Sequence, residues 1–330
     1  MNRRQFLAST AAGILTAPAR LQEAFAQETP FRVKYFRLDP GVGPHDVTPA
    51  PDGTVWFTGQ RNATLGRLDP RDGSSRPVNL GKGAAPHGVT IGPDGAAWVT
   101  EGGQNAIARV DPADHSVKLF RLPEKYAAAN LNTGVFDKGG IYWFTGQSGY
   151  YGRLDPKSGD MKVFEAPRGV GPYGITATPK GEVWYASLAG NYIGRIEPAN
   201  GQATVVDPPT PKQGSRRIWS DSRSRLWVSE WNSGNVSLHD PADGSWKAWK
   251  LPGASPRTYA VYVDNKDKVW LTDFSANAIV RFDPETEKFN VFASDKPGAN
   301  VRQLDGRSGE VWGAESGTDR LVMIQTVAPM

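Results

Sequence analysis

The sequence has no cysteine, and only 4 of its 330 residues are histidine. Without cysteine the chain cannot form disulfides, use a thiolate nucleophile or hold a metal through thiolates. Lysine and arginine are scattered among the acidic residues rather than gathered in a basic run, which argues against nucleic acid as a partner. Stability must come from packing, for which 11 Trp, 13 Phe and 10 Tyr supply apolar surface.

The N-terminal segment predicts an export signal. A twin-arginine pair, Arg3-Arg4, precedes a weakly apolar segment, and Ala24-Phe25-Ala26 fits an A-x-A cleavage site. The apolar segment, residues 6–17, is too short to span a bilayer stably. We therefore expect a signal peptide over residues 1–26 and export through the twin-arginine pathway to the periplasm or beyond. The mature chain, residues 27–330, is then expected to have no membrane span and to be a monomer.

One unit of sequence repeats seven times, and its most regular marker is a tryptophan. Short segments that alternate apolar and polar residues surround each one, and turn dipeptides recur too often for helices to fit between them. Periods of about 40 to 45 residues are typical of β-propeller blades. We predict an all-β chain that forms a single seven-bladed β-propeller of four-stranded antiparallel blades. The markers lie 41 to 45 residues apart, at Trp56, Trp98, Trp143, Trp184, Trp227, Trp270 and Trp312.

The seventh unit lacks an outer strand, whereas each of the first six units has one. A spare strand-like segment, residues 33–38, precedes the first unit and resembles the outer strand of the second unit, residues 117–123. An open sheet edge is a template for aggregation, so pairing the two chain ends protects the ring. We predict that the N-terminal strand closes the last blade.

Two columns of the repeat vary while their surroundings stay constant. The first column, eleven residues before each tryptophan, contains His45, His87, Asn132, Tyr173, Arg216, Tyr259 and, in an uncertain seventh register, Val301 or Arg302. The second column, three residues after each tryptophan, contains Gly59, Glu101, Gly146, Ser187, Glu230, Asp273 and Glu315. Because the start of one antiparallel strand and the end of its partner share an edge, both columns should ring one mouth of the central channel.

The two columns allow two interpretations. Their polar groups either hydrogen-bond one another and line a water channel, or they form a site that acts on a ligand. Two of the four histidines share the first column in adjacent units, while His115 and His239 are expected to be surface turn residues. A neutral imidazole beside a carboxylate-held cation is a suitable general base near neutral pH. With two histidines and no thiolate, Mg²⁺ or Ca²⁺ is favoured over Zn²⁺.

The repeat itself resembles a known family. The segments PHGVTIGPDGAAWVTE and GPYGITATPKGEVWYAS, and the N-x-I-x-R strand at residues 105–109, are similar to the streptogramin B lyase (virginiamycin B lyase) family over about residues 31–325. The resemblance implies a seven-bladed propeller that opens a cyclic depsipeptide antibiotic by elimination. In that family a histidine removes the proton α to the ester carbonyl, and carboxylate-bound Mg²⁺ stabilises the enolate.

The chain differs from the family at the positions that the family uses for catalysis and metal binding. The family places its histidines and metal carboxylates in the last two blades, where this chain has Tyr259 and Val301 or Arg302. A glutamate that precedes the family's base by two residues is Ala85 here. We therefore predict a site rotated about the ring, with His87 as base and His45 orienting the substrate. Glu101 and Glu315 would hold the cation, and the predicted substrate contacts are Asn132, Tyr173, Arg216, Glu230, Tyr259, Asp273 and Arg302.

Three functions remain open at this point. The first is a metal-assisted lyase that opens a cyclic ester or depsipeptide. The second is a lactone hydrolase of the gluconolactonase type. The third is a non-catalytic propeller of the cell envelope that holds a small molecule or a cyclic peptide at the channel mouth.

Overall fold

The structure, a computed structural model, describes residues 31–326. The predicted signal peptide, residues 1–26, lies outside the described residues. The described chain forms 28 strands and one short 3₁₀ helix, Glu124–Tyr126. The strands make seven separate four-stranded antiparallel sheets, which confirms the predicted all-β seven-bladed propeller. No helix between residues 31 and 326 has the length and apolar character needed to cross a membrane.

Each of the first six blades is built from four consecutive strands, ordered from the channel outward. Blades one to three consist of β2 (Pro44–Pro49), β3 (Val55–Gly59), β4 (Thr64–Leu68) and β5 (Ser75–Asn79); β6 (Pro86–Ile91), β7 (Ala97–Glu101), β8 (Ala106–Val110) and β9 (Val117–Arg121); and β10 (Leu131–Phe136), β11 (Tyr142–Gly146), β12 (Tyr150–Leu154) and β13 (Met161–Glu165). Blades four to six consist of β14 (Pro172–Ala177), β15 (Val183–Ser187), β16 (Tyr192–Ile196) and β17 (Ala203–Val206); β18 (Ser215–Ser220), β19 (Leu226–Glu230), β20 (Asn235–His239) and β21 (Trp246–Lys250); and β22 (Thr258–Val263), β23 (Val269–Asp273), β24 (Ala278–Asp283) and β25 (Lys288–Ala293).

The seventh blade joins the two ends of the described chain. It consists of β26 (Val301–Arg307), β27 (Glu310–Glu315), β28 (Arg320–Thr326) and, as its outer strand, β1 (Phe31–Arg37). Strand β1 pairs with β28 along its full length. The Phe36 ring stacks on the buried ring of Trp312, with 5.2 Å between centroids. The predicted closure of the last blade by the N-terminal strand is therefore confirmed.

The seven repeat tryptophans are all buried and pack between blades. Trp98 of blade two, for example, contacts the rings of Phe136 and Tyr142 in blade three. Several indole nitrogens donate a hydrogen bond to an aspartate in the preceding turn, as Trp270 does to Asp264 at 2.9 Å. The repeated tryptophan therefore packs neighbouring sheets against each other, and its indole nitrogen finds a hydrogen-bond partner in the nearby turn.

A bulge near the start of each innermost strand positions the channel residues. In all seven blades the register shifts by one residue there, so that two successive residues oppose a single residue of the next strand. In blade one the bulge contains His45 and Asp46. The Thr58 hydroxyl accepts from the Asp46 amide at 2.9 Å and donates to the His87 carbonyl of blade two at 2.8 Å. This hydroxyl fixes one innermost strand against the next.

The bulge also settles the uncertain seventh register. Val301 pairs with Glu315 as Pro44 pairs with Gly59 in blade one. Arg302 therefore occupies the position that His45 occupies in blade one. The hairpin after it is one residue shorter than in the other blades, which explains the ambiguity of the spacing.

Candidate functional site

Side chains of the first column converge on the channel from several blades. The His45 and His87 rings lie side by side, 3.8 Å between centroids, and both are buried. The His87 ring also meets Tyr173 of blade four, with 6.2 Å between centroids. Strands from opposite sides of the ring thus bring these residues to one end of the channel, as their shared column predicts.

A buried ion pair crosses the channel beside the histidines. Arg217 of blade five donates from Nη2 to Asp46 Oδ1 at 3.0 Å and from Nη1 to Asp46 Oδ2 at 3.3 Å. The side chains of Arg217 and Asp46 are only 5% and 2% exposed. Sequence analysis missed this pair, although a signal existed. The second bulge position holds small residues in three blades, Gly88, Gly174 and Ala260, and opposite charges in blades one and five.

His45 has the contacts of an oriented base. Its Nδ1 lies 2.8 Å from Asp46 Oδ1. An ionised carboxylate only accepts, so the hydrogen-bond network assigns the proton to Nδ1 and leaves Nε2 with a free lone pair. Burial, followed by the positive charges of Arg217 and Arg302, holds the pKa of His45 well below its ordinary value. The imidazole is therefore neutral at physiological pH.

His87 receives the opposite tautomer from a relay of hydrogen bonds. Arg217 Nη1 donates to Thr133 Oγ1 at 2.9 Å, and that hydroxyl donates to Asn132 Oδ1 at 2.7 Å. Asn132 Nδ2 then faces His87 Nε2 at 3.2 Å, so Nε2 accepts and Nδ1 carries the proton. His87 Nδ1 is buried without a hydrogen-bond partner among the described residues. Burial, with a contribution from His45, lowers the pKa of His87 well below its ordinary value.

These tautomers give the two histidines roles other than those predicted from the sequence. The sequence assigns the base to His87 and substrate orientation to His45. The contacts instead give His45 the acceptor nitrogen and give His87 an unpaired N–H donor. The difference arises because Asp46 and the relay through Thr133, which decide the tautomers, lie outside the column of residues that the sequence pattern singles out.

A cationic and aromatic group forms the other half of the site. The Arg216 guanidinium carbon lies 3.6 Å from the ring centre of Tyr259 and 4.6 Å from that of Trp231. Arg216 Nη2 donates to the Tyr173 hydroxyl at 2.9 Å, and the hydroxyls of Tyr173 and Tyr259 are 2.6 Å apart. Burial raises the pKa of Tyr173 to about 12. Burial also opposes ionisation of Tyr259, but the charges of Arg216 and neighbouring arginines outweigh it and lower that pKa.

The four acids of the second column are buried, and each is engaged by loop groups. Glu101 Oε1 accepts from the amides of Ala85 and Gly103 at 2.5 and 2.9 Å. Asp273 Oδ1 accepts from two amides at 2.9 Å. Glu230 accepts from the side chains of Ser233 and Asn235, and Glu315 accepts from those of Ser294, Thr318 and Arg320. These carboxylates hold loops in place, so the metal and substrate roles predicted for them stay predictions.

The charges around the histidines do not suit a divalent cation. Between residues 31 and 326, one group of three possible ligand residues has donor atoms within 4.8 Å of one another: His45, Asp46 and His87. Both Asp46 oxygens accept from Arg217, and its positive charge would repel a cation. Glu101 and Glu315 do not belong to this group, although Glu101 Oε2 is buried without a hydrogen-bond partner in the part of the chain that the structure describes.

The opposite end of the channel contains a separate cavity of about 440 Å³. Asp46 and Thr133 line it, so the layer that supports the histidines also forms one of its walls. Asp305 lies in its lining, and burial raises the pKa of this carboxyl to about 6. The cavity and the histidine site thus lie on two sides of the Asp46 layer.

Comparison with known proteins agrees with this architecture. The profile of the Virginiamycin B lyase family matches residues 26–255, which span the first five blades. No curated protein sequence matches the chain. Virginiamycin B lyase from Staphylococcus aureus is 24% identical in sequence, with a TM-score of 0.82 over 90% of this chain and 100% of that one. A catalytically inactive variant of that enzyme, in which an alanine replaces a histidine, was solved with quinupristin and has a TM-score of 0.83 at the same identity and coverage. A streptogramin B lyase structure is 22% identical, with a TM-score of 0.81 over 89% of this chain and 97% of that one. Because the profile matches well over half of its length, the chain belongs to the virginiamycin B lyase family.

Proposed function

We propose that this protein is a carbon–oxygen lyase that opens a cyclic ester or depsipeptide by elimination at the histidine end of the channel. The observation that carries the proposal is the Asp46–His45 pair, which leaves a neutral imidazole with a free Nε2 beside a group of arginines. A base oriented by a carboxylate is the usual arrangement for proton abstraction.

The reaction can be written with residues of this chain alone. His45 Nε2 takes the proton from the carbon next to the one that carries the ester oxygen, a proton made acidic by an adjacent carbonyl group, and Asp46 stabilises the imidazolium that forms. The electron pair of the broken carbon–hydrogen bond then forms a carbon–carbon double bond as the carbon–oxygen bond of the ester breaks.

Two further findings support the proposal. The chain belongs to a family named for this activity. In the related enzyme from Staphylococcus aureus, the variant described as catalytically inactive lacks one histidine. The histidine pair of this chain lies in blades one and two, so a rotated site on the same ring is the arrangement under test.

The decisive experiment is to incubate the mature protein with quinupristin and with simple macrocyclic lactones, and to weigh the products by mass spectrometry. Elimination gives a linear product of unchanged mass with a new conjugated double bond. A product that has gained one water would identify a lactone hydrolase instead. Retention of the ligand without any product would identify a binding protein and would refute the proposal.

Variants and a chelator make the assignment specific. We expect His45→Ala to abolish turnover, and His115→Asn to leave it intact, because His115 lies in a turn with a positive φ that asparagine tolerates. Dialysis against EDTA should not change the rate. If EDTA abolishes turnover and Mg²⁺ restores it, the Mg²⁺ or Ca²⁺ site predicted at Glu101 and Glu315 becomes the better explanation.

We also propose that the protein is exported. Cleavage after Ala26 and delivery by the twin-arginine pathway would place the enzyme in the periplasm or outside the cell. N-terminal sequencing of the protein recovered from that fraction tests the cleavage site. Recovery of the uncleaved chain from the cytoplasm alone would refute this part.

A further inference from the structure

The two histidines are surrounded by more arginines than carboxylates, since three arginines and one carboxylate, Asp46, act on them. The three arginines are Arg216 and Arg217 on β18, and Arg302 on β26. Arg217 is paired with Asp46. Between residues 31 and 326, no carboxylate oxygen lies within 4.0 Å of Arg216 or Arg302. Because both histidines are neutral, two positive charges remain uncompensated.

The guanidinium groups of Arg216 and Arg302 both have N–H donors that are not used in hydrogen bonds. Arg216 Nε is buried and has no hydrogen-bond partner within the described chain. Arg302 uses Nε to donate to Ser316 Oγ at 2.9 Å. Each arginine is only partly buried, so solvent and ligands can reach it. A buried or half-buried cation that lacks a counterion favours an anionic ligand, since pairing recovers part of the lost hydration energy.

Aromatic rings hold Arg216 in a fixed orientation. Its guanidinium lies over Tyr259, Tyr173 and Trp231 at 3.6, 4.6 and 4.6 Å from the ring centres. Arg302 approaches the same Tyr259 ring at 6.0 Å. A planar guanidinium that is held in this way presents its N–H donors as a preformed fork, which matches a carboxylate better than a mobile lysine would.

We infer that Arg216 and Arg302 form a carboxylate-binding subsite, and that it receives the carboxylate leaving group of the ester. This assignment of the leaving group rests on the proposed function. When elimination breaks the carbon–oxygen bond of a cyclic ester, the oxygen keeps the electron pair and departs as a carboxylate. Charge thus develops where the two cations lie, and no added proton is needed. The subsite therefore selects esters, whose leaving group is a carboxylate, over ethers, whose leaving group is an alkoxide.

The subsite can be tested without turnover. The probe is 3-phenyllactate, compared with its uncharged amide, in calorimetric titrations of the mature protein at low and high NaCl. We expect the carboxylate to bind and the amide to bind at least about tenfold more weakly, with the difference shrinking as salt increases. Equal affinities for the acid and the amide would overturn the inference.

Three variants locate the binding. Arg216→Gln and Arg302→Gln should each weaken binding of 3-phenyllactate by about tenfold or more. Arg257→Gln is the matched control, because Arg257 lies 5.3 Å above the Trp231 ring but is exposed and makes no cation–π contact with Tyr259. Circular dichroism confirms that each variant is folded, and Arg302→Gln decides the question if Arg216→Gln does not fold. Full affinity in Arg302→Gln would overturn the inference.

The outcomes for the subsite and for the lyase are separable. Carboxylate binding without conversion of any cyclic ester would leave the subsite standing and refute the lyase. Elimination of a cyclic ester by a protein that does not discriminate between acid and amide would do the reverse. Equal conversion of an ester and the matched ether would likewise refute the leaving-group assignment.

Discussion

Replacing Asp46 by asparagine tests the ion pair that crosses the channel. The substitution leaves the Arg217 charge in a site where the side chain is only 5% exposed, and it weakens the hydrogen bond to His45. Breaking a buried ion pair from one side typically costs about 3 to 5 kcal/mol, because the remaining charge is left without a partner. For a domain of about 300 residues, this corresponds to a fall in Tm of about 5 to 8 °C.

Thermal unfolding followed by circular dichroism and by calorimetry measures the effect. Arg217→Met should cost a similar amount, because it leaves the Asp46 carboxylate buried without its cation. The double variant Asp46→Asn/Arg217→Met removes both charges and should melt closer to the wild type than either single variant. A Tm within about 2 °C of wild type for Asp46→Asn, or fully additive losses in the double variant, would refute this account.

Three other predictions concern the same scaffold. The pKa values of His45 and His87 are lowered in the folded protein, so below about pH 6.5 the unfolded chain binds more protons than the folded chain. The free energy of unfolding should therefore fall as the pH decreases, by up to about 1.4 kcal/mol per pH unit for each histidine. Asp305, whose pKa is raised to about 6, opposes part of this fall. Urea titrations between pH 5 and 7.5 should show that the free energy of unfolding depends less steeply on pH in His87→Gln than in the wild type. Identical slopes for the two proteins would contradict the lowered pKa of His87. Phe36→Ala removes a buried ring from the closing blade and should cost about 3 to 5 kcal/mol in denaturant unfolding, while a loss below about 1 kcal/mol would mean that β1 contributes little to closure. Thr58→Val deletes the hydroxyl that links blades one and two and should cost about 1 to 3 kcal/mol by the same assay, and an unchanged midpoint would argue against the link.

The fold was predictable because each blade repeats the same local chemistry. A tryptophan in a fixed register, a turn before it and alternating strands around it recur seven times, and each copy has to bury its faces against the next. The closing strand was predictable for a related reason. The segment at residues 33–38 had the pattern of an outer strand but no blade of its own.

The site was only partly predictable. Column spacing identified His45, His87 and Tyr259 as channel residues, because repeated backbone geometry carries equivalent positions to equivalent places. The spacing gave no information on hydrogen bonds between blades, so the Asp46–Arg217 pair went unnoticed. It also gave no information on the groups that engage the second-column acids, such as the hydrogen bonds that Glu315 accepts from Ser294 and Arg320. Side-chain direction at a strand end depends on the loops around it, and these differ among blades.

The pairing of β1 with β28 constrains when the ring can be finished. Strand β1 leaves the ribosome before the 26 strands β2 to β27, and β28 leaves it after them, so the contact that closes the ring joins the two described strands that are most distant in sequence. The entropic cost of closing a loop grows only slowly with its length, so the long separation costs little stability. Pairings between strands that are distant in sequence nevertheless form slowly. Until then both edges of the nascent ring are exposed to other chains. A circular permutant that starts at β2 and carries β1 directly after β28 would replace this late encounter with a local hairpin.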